Sequence, residues 1–161
     1  MKHWIIILAL IVSGCAQTAP KKCYVIPFEM NELHIPIISA IVNINPNHPE
    51  VRPPAKRLAI DTGAAHTAFF VSDQTVADLA KIIPGAVVQD RLAANGLVVR
   101  ACHFPIARVT VGDLSVDIPV DASGRDMTIN PGFDGVVGID FLSRFNVQFD
   151  FQAKTMTLTE R

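Results

Sequence analysis

Charge is scarce in this 161-residue chain: Asp, Glu, Lys and Arg make up 18% of it and leave a net charge of -1. The basic residues are scattered, so the sequence lacks the footprint of a nucleic-acid binder or of a protein drawn electrostatically to acidic membranes. His3, His34, His48 and His103 show no ligand spacing; no metal site is indicated and no cofactor is expected. A GxSxG motif is missing, and neither Cys23 nor Cys102 has a histidine placed to make a nucleophile pair. Cys102 and His103 are neighbours, but adjacent residues on a strand point to opposite faces. No internal repeat is found, so no motif in the chain has a second copy.

What is present points to one domain, the size that this length supports. Eleven prolines, nine glycines and many Val and Ile residues predict strands joined by tight turns. The N-terminus reads as a signal peptide: Lys2, the apolar run Trp4 to Val12, then Ser13-Gly14-Cys15. That run is too short to span about 30 Å of hydrocarbon as a helix. IVSGC resembles the lipobox of bacterial lipoproteins. The resemblance implies that Cys15 receives lipid and becomes the first mature residue, and that Ala16 sorts the protein to the outer membrane of a Gram-negative envelope, facing the periplasm. An ordinary secretory peptide cut near Ala16 or Ala19 is the alternative. The expected organisation is a signal peptide over 1–14, a tether over 15–34 and a folded domain over 35–161. Cys23 and Cys102 are left either to pair in an oxidising compartment or to stay separate thiols.

Within the domain, Ile38, Ala40, Val42 and Ile44 alternate as in a half-buried strand. The proline-rich stretch Asn45 to Ala55 breaks that strand before the next, Arg57 to Ile60. Ala68 to Val71 is strand-like. Ser72 is a helix cap, and Val76, Leu79, Ala80 and Ile83 follow at helical spacing until Pro84-Gly85 stops the helix. Further strands are expected at Ala86 to Gln89, Leu97 to Phe104, Ala107 to Val111, Leu114 to Val120, Val147 to Phe151 and Thr155 to Thr159. Gly112-Asp113 is a hairpin turn, and Ser123 to Gly132 a loop.

Two segments carry chemistry. In LAIDTGAAHT, Leu58 to Thr67, a hydrophobic strand ends on Asp61-Thr62-Gly63, which drives a carboxylate to the floor of a cleft; Gly63 permits positive φ or close backbone approach. In GVVGIDFLSRF, Gly135 to Phe145, two β-branched residues sit between glycines, and Phe141, Leu142 and Phe145 suggest a short amphipathic helix. Together, and in this order, they resemble the retropepsin-like aspartic proteases over about residues Ile35 to Leu158. The resemblance implies an all-β fold, a retropepsin-like closed β-barrel with one or two short helices. It implies that Val136-Val137-Gly138 forms the strand crossing beneath the aspartate turn, and that Thr67, at the family's DTGAxxT position, buttresses that turn. Ala93-Ala94-Asn95-Gly96-Leu97 matches the position of the flap that closes over bound peptide, while Asn95-Gly96 serves a plain hairpin equally well.

Hydrolysis by two carboxylates needs one ionised and one protonated, so a single Asp61 does not suffice. Asp134, Asp140 and Asp150 lack the glycine turn. A twofold homodimer would supply the second Asp61; the resemblance implies the same, with Thr62 reaching across to the partner loop. Ala64 offers the pair no hydroxyl, and activity is expected nearer neutrality than in serine-bearing relatives. His66 is read as a loop residue. Val136, Val137 and Ile139 suggest a preference for hydrophobic side chains. The expected function is a lipid-anchored aspartic endopeptidase acting on peptides or proteins. The rivals are a non-catalytic binding or scaffold lipoprotein of the same fold, favoured if the proline loop blocks the dimer edge, and a structural lipoprotein in which DTGA is chance.

Overall fold

The computed structural model describes residues 21–48, 53–93, 96–124 and 132–161. In chain order the elements are β1 (Cys23–Pro27), β2 (Glu29–Met30), β3 (Pro36–Asn43), β4 (Lys56–Ile60), β5 (Ala68–Val71), α1 (Asp73–Ile82), β6 (Val87–Leu92), β7 (Val98–Val111), β8 (Leu114–Gly124), β9 (Gly135–Val137), α2 (Ile139–Leu142), β10 (Phe145–Asp150) and β11 (Thr155–Glu160).

Eight of the strands form one sheet in the order β2-β3-β4-β9-β5-β8-β7-β6, and an added pairing of β3 with β7 closes six of them into a barrel. β3 can serve two partners because its first half, Ile37 to Ala40, pairs with β4, and its second half, Ile41 to Asn43, pairs with β7. Alternation drives this arrangement: Ile38, Ala40 and Val42 are buried while Ser39 and Ile41 face out, so one face of β3 lines the core along its length. The fold is the mostly-β closed barrel with short helices that the sequence predicts.

A second sheet, β1-β11-β10, packs beneath the barrel. Met156, Leu158, Ile26 and Phe145 from these strands join the same apolar core as Val109, Val111 and Ile118 of the barrel. Phe28, Phe149 and Phe151 make edge and stacked ring contacts at its margin. This corrects the expected tether: residues from Cys23 onward belong to the fold, because Tyr24, Ile26 and Phe28 alternate as a strand does and Ile26 and Phe28 are buried. Cys23 and Cys102 are separate thiols, the first exposed and the second buried in the barrel.

Helix α1 follows its predicted bounds closely. Ser72 caps it by accepting a hydrogen bond from Thr75 N at 3.2 Å, and Val76 inserts into the core. Three other expectations change. The two strands predicted on either side of Pro105 are one strand, β7, with a bulge between Phe104 and Ala107 that accommodates the proline. β8 runs on to Gly124, where a loop was expected, because Asp121 to Gly124 pair with β5. The helix after Gly138 is a single turn: Phe145, expected on it, begins β10 instead. The leader with Cys15, the centre of the proline loop at 49–52, and Asn95 lie outside the described residues.

Candidate active site

Asp61 stands where β4 leaves the sheet. β4 and β9 run parallel, Leu58 to Ile60 opposite Gly135 to Val137, and all of these but half-buried Val136 are buried. Reciprocal bonds from Asp134 N to Arg57 O (2.6 Å) and from Arg57 N to the Asp134 carboxylate (2.8 Å) fix one end of the pair. At the other end Asp61 N donates to Val137 O at 3.1 Å. The backbone then turns. Ala64 N donates to Asp61 O at 3.3 Å, and Gly63 N donates to Asp61 Oδ1 at 2.8 Å, which orients the carboxylate. Gly63 does not adopt positive φ; a Cβ there would lie 3.2 Å from Asp61 Oδ1, so the glycine serves close approach. Thr62, Gly63, Ala65 and His66 are exposed, and Asp61 is half-buried.

The far side of the turn is sewn to α2. Thr67 is fully buried, and its Oγ1 donates to Asp140 Oδ1 at 2.7 Å while accepting from Gly138 N at 3.1 Å. Thr67 N donates to both Asp140 oxygens, at 3.0 and 2.9 Å, and Ile139 N donates to Ala64 O at 2.8 Å. Asp140 also accepts from Phe141 N at 2.8 Å. The three other acids considered in the sequence are thus committed to backbone: Asp140 to Thr67 and Phe141, Asp134 to Arg57, and Asp150 to Ala153 N. Sequence reasoning found Thr67 but missed Asp140 as its partner. The only local signal was an acid placed directly after Gly138-Ile139.

A cavity of about 360 Å³ opens beside Asp61, with Ile35, Pro36, Ile60, Phe133 and Val136 as its apolar walls. His34, held in a left-handed turn with φ 58°, stands at its rim. Of the residues expected to shape substrate preference, Val136 lines this cavity, Val137 is buried in the core, and Ile139 is exposed on the start of α2. Ile35, Pro36 and Phe133 were not foreseen; each lies in sequence far from the aspartate and reaches it only through the β2–β3 turn or the approach to β9.

β6 and β7 form the hairpin expected to carry the flap. At its turn Gly96 takes φ +80°, Gly96 N donates to Ala93 O at 2.9 Å, and Ala93 N to Leu97 O at 2.8 Å. Leu92, Leu97 and Val98 leave an apolar tip exposed. Lower on the same hairpin Arg91 Nε donates to Asp121 Oδ2 at 2.8 Å, and His103 Nδ1 lies 2.7 Å from Asp121 Oδ1. Asp121 is the one buried acid among the described residues. Behind it, Cys102 is pushed above the usual thiol range, first by burial and then by the negative charge of Asp121.

Comparison with protein-family models and with curated proteins finds no match. Among solved structures the chain is similar to a retropepsin-like aspartic protease from Rickettsia conorii, with a TM-score of 0.51 and 16% sequence identity, over 89% of this chain and 96% of that one. With the closed barrel and the parallel β4–β9 pair beneath the aspartate turn, the chain has the retropepsin-like fold.

Proposed function

We propose that this protein is an aspartic endopeptidase that acts as a homodimer and is held by lipid on Cys15 in a bacterial envelope, at the outer membrane and facing the periplasm. The observation that carries the reading is the placement of Asp61: a half-exposed carboxylate, oriented by Gly63 N–H, at the edge of a cavity whose other walls are mostly apolar. The turn that carries it exposes Thr62 and Gly63, so the surface that a second copy must meet is open. In the dimer two Asp61 side chains share one proton across the twofold axis. The ionised carboxylate takes a proton from a water molecule as the water attacks the scissile carbonyl; the protonated one donates to the carbonyl oxygen. Collapse of the tetrahedral adduct passes a proton to the departing amine. Ile35, Phe133 and Val136 favour an apolar side chain next to the bond that is cut. Anchoring both copies to one membrane raises their effective concentration and favours pairing.

Sedimentation and digestion of a peptide library, on wild type and Asp61→Asn, test the reading. A dimer that cuts, with a dimeric variant that does not, is the expected result; an inert monomer favours the binding or scaffold alternative, and an unaffected variant removes Asp61 from the chemistry. Mass spectrometry of the N-terminal peptide tests the anchor, which requires an acyl mass on Cys15.

A further inference from the structure

The registers of four strand pairs place one line of side chains across five strands of the sheet. Ala59 of β4 lies opposite Val136 of β9, Val136 opposite Ala68 of β5, Ala68 opposite Asp121 of β8, and Asp121 opposite His103 of β7. Directly opposed residues share a face. Because Ala59 and Val136 line the cavity beside Asp61, the Arg91–His103–Asp121 cluster stands on the cavity's own side of the sheet. Strands are about 4.8 Å apart, so Asp121 is about 10 Å across from Val136. Phe70, two residues beyond Ala68 on the same face, makes a ring contact of 6.0 Å with Phe133 of the cavity wall.

The cluster is layered. The Asp121 side chain is only 5% exposed, whereas Arg91 keeps 30% and His103 26% of theirs. Arg91 commits Nε and one terminal nitrogen to the carboxylate, at 2.8 and 3.4 Å, which leaves the other terminal nitrogen outside that pairing. The 2.7 Å contact of His103 Nδ1 with Asp121 fixes the imidazole ring; the 3.4 Å approach of Arg91 to the same nitrogen is the weaker contact. A buried acid therefore holds a guanidinium and an imidazole in place, and each keeps part of its side chain in solvent.

We propose that Arg91, His103 and Asp121 form a subsite for an acceptor-bearing side chain of the substrate, glutamate before glutamine, near the apolar residue held beside Asp61. The proposal rests on the peptidase reading. In an extended peptide, side chains on one side are about 7 Å apart, and the length of a glutamate covers the remaining distance to the cluster. Charge-assisted hydrogen bonds to guanidinium reward a carboxylate over an amide, and an amide over a hydrocarbon. Asp121 orients the Arg91 guanidinium and the His103 ring and does not itself meet the ligand.

The test uses full-length Asp61→Asn protein, which binds without cutting, and fluorescent peptides that carry Glu, Gln, Leu or Lys in turn at each position within three residues of a central apolar pair. Anisotropy is expected to show Glu bound about tenfold more tightly than Leu at one position, with Gln between, and that ratio falling to about one when Arg91→Met is added. A ratio near one in the parent, equal weakening of every peptide by Arg91→Met (the signature of an arginine that only braces β6), or no binding by any peptide overturns the proposal. Digestion of the same peptides by wild type separates the two readings: cutting without the preference leaves the peptidase and removes the subsite, and binding preference without cutting does the reverse.

Discussion

Thr67 and Asp140, 73 residues apart, are joined by three hydrogen bonds, two from the threonine N–H and one from its hydroxyl. The same hydroxyl accepts from Gly138 N, so one buried oxygen links the end of the Asp61 turn to both the strand beneath it and the helix that follows. Thr67→Val keeps the shape and deletes both roles, leaving Gly138 N–H without its acceptor. It is expected to cost about 1–3 kcal/mol in urea unfolding and to lower kcat, with Thr67→Ser retaining most of each.

Gly138→Ala tests the turn from below. An added Cβ would lie 2.6 Å from the His66 carbonyl carbon and 2.8 Å from Ala64 O, backbone atoms with no free torsion to yield. The expected loss is about 1–3 kcal/mol of stability, read as a lower melting temperature. The proposed peptidase activity should fall further than stability alone accounts for, because the displaced atoms belong to the segment that carries Asp61.

The absence of a hydroxyl at residue 64 is testable by pH. In the proposed dimer, Ala64→Ser would put a donor next to the two Asp61 carboxylates and favour their ionised form, so the upper limb of the pH–rate profile is expected to move to lower pH. An unchanged upper limb in the variant rejects this role for the residue.

The two described cysteines should differ in reactivity. Cys102 is buried, and burial together with the Asp121 charge holds its thiol protonated to higher pH than usual. At mildly alkaline pH an alkylating reagent is expected to modify exposed Cys23 in the native protein and Cys102 only after denaturation, as mapped by peptide mass spectrometry. Equal labelling in the native state contradicts the burial. Because the shift is upward, the folded state gains from the protonated thiol below the unfolded-state value, and that contribution fades as pH rises through the native one.

Much of the barrel was legible in the sequence because its signals are local: alternation in β3, the cap and stop of α1, and the Gly112-Asp113 turn each declare themselves within a few residues. The aspartate turn and GVVG were legible as a pair of motifs in a fixed order, and the structure places β9 against β4. β1 was missed because five residues next to the polar stretch Gln17 to Lys22 show too few alternations, and its partner β11 lies at the other end of the chain. The cavity walls and the Arg91–His103–Asp121 cluster were hidden for the same reason: strands distant in sequence assemble them. A lone aspartate in the apolar run Ile118 to Ala122 was the one visible hint, since a buried charge demands partners.

The seam between β3 and β7 carries a kinetic consequence. It joins Ile41 to Thr110, so the barrel cannot close until most of the intervening chain has been arranged, and such distant pairings make for slow folding. Until the seam shuts, the second half of β3 is an open edge able to recruit a strand from elsewhere. A newly made chain thus passes through a window in which self-association competes with completion of the cylinder.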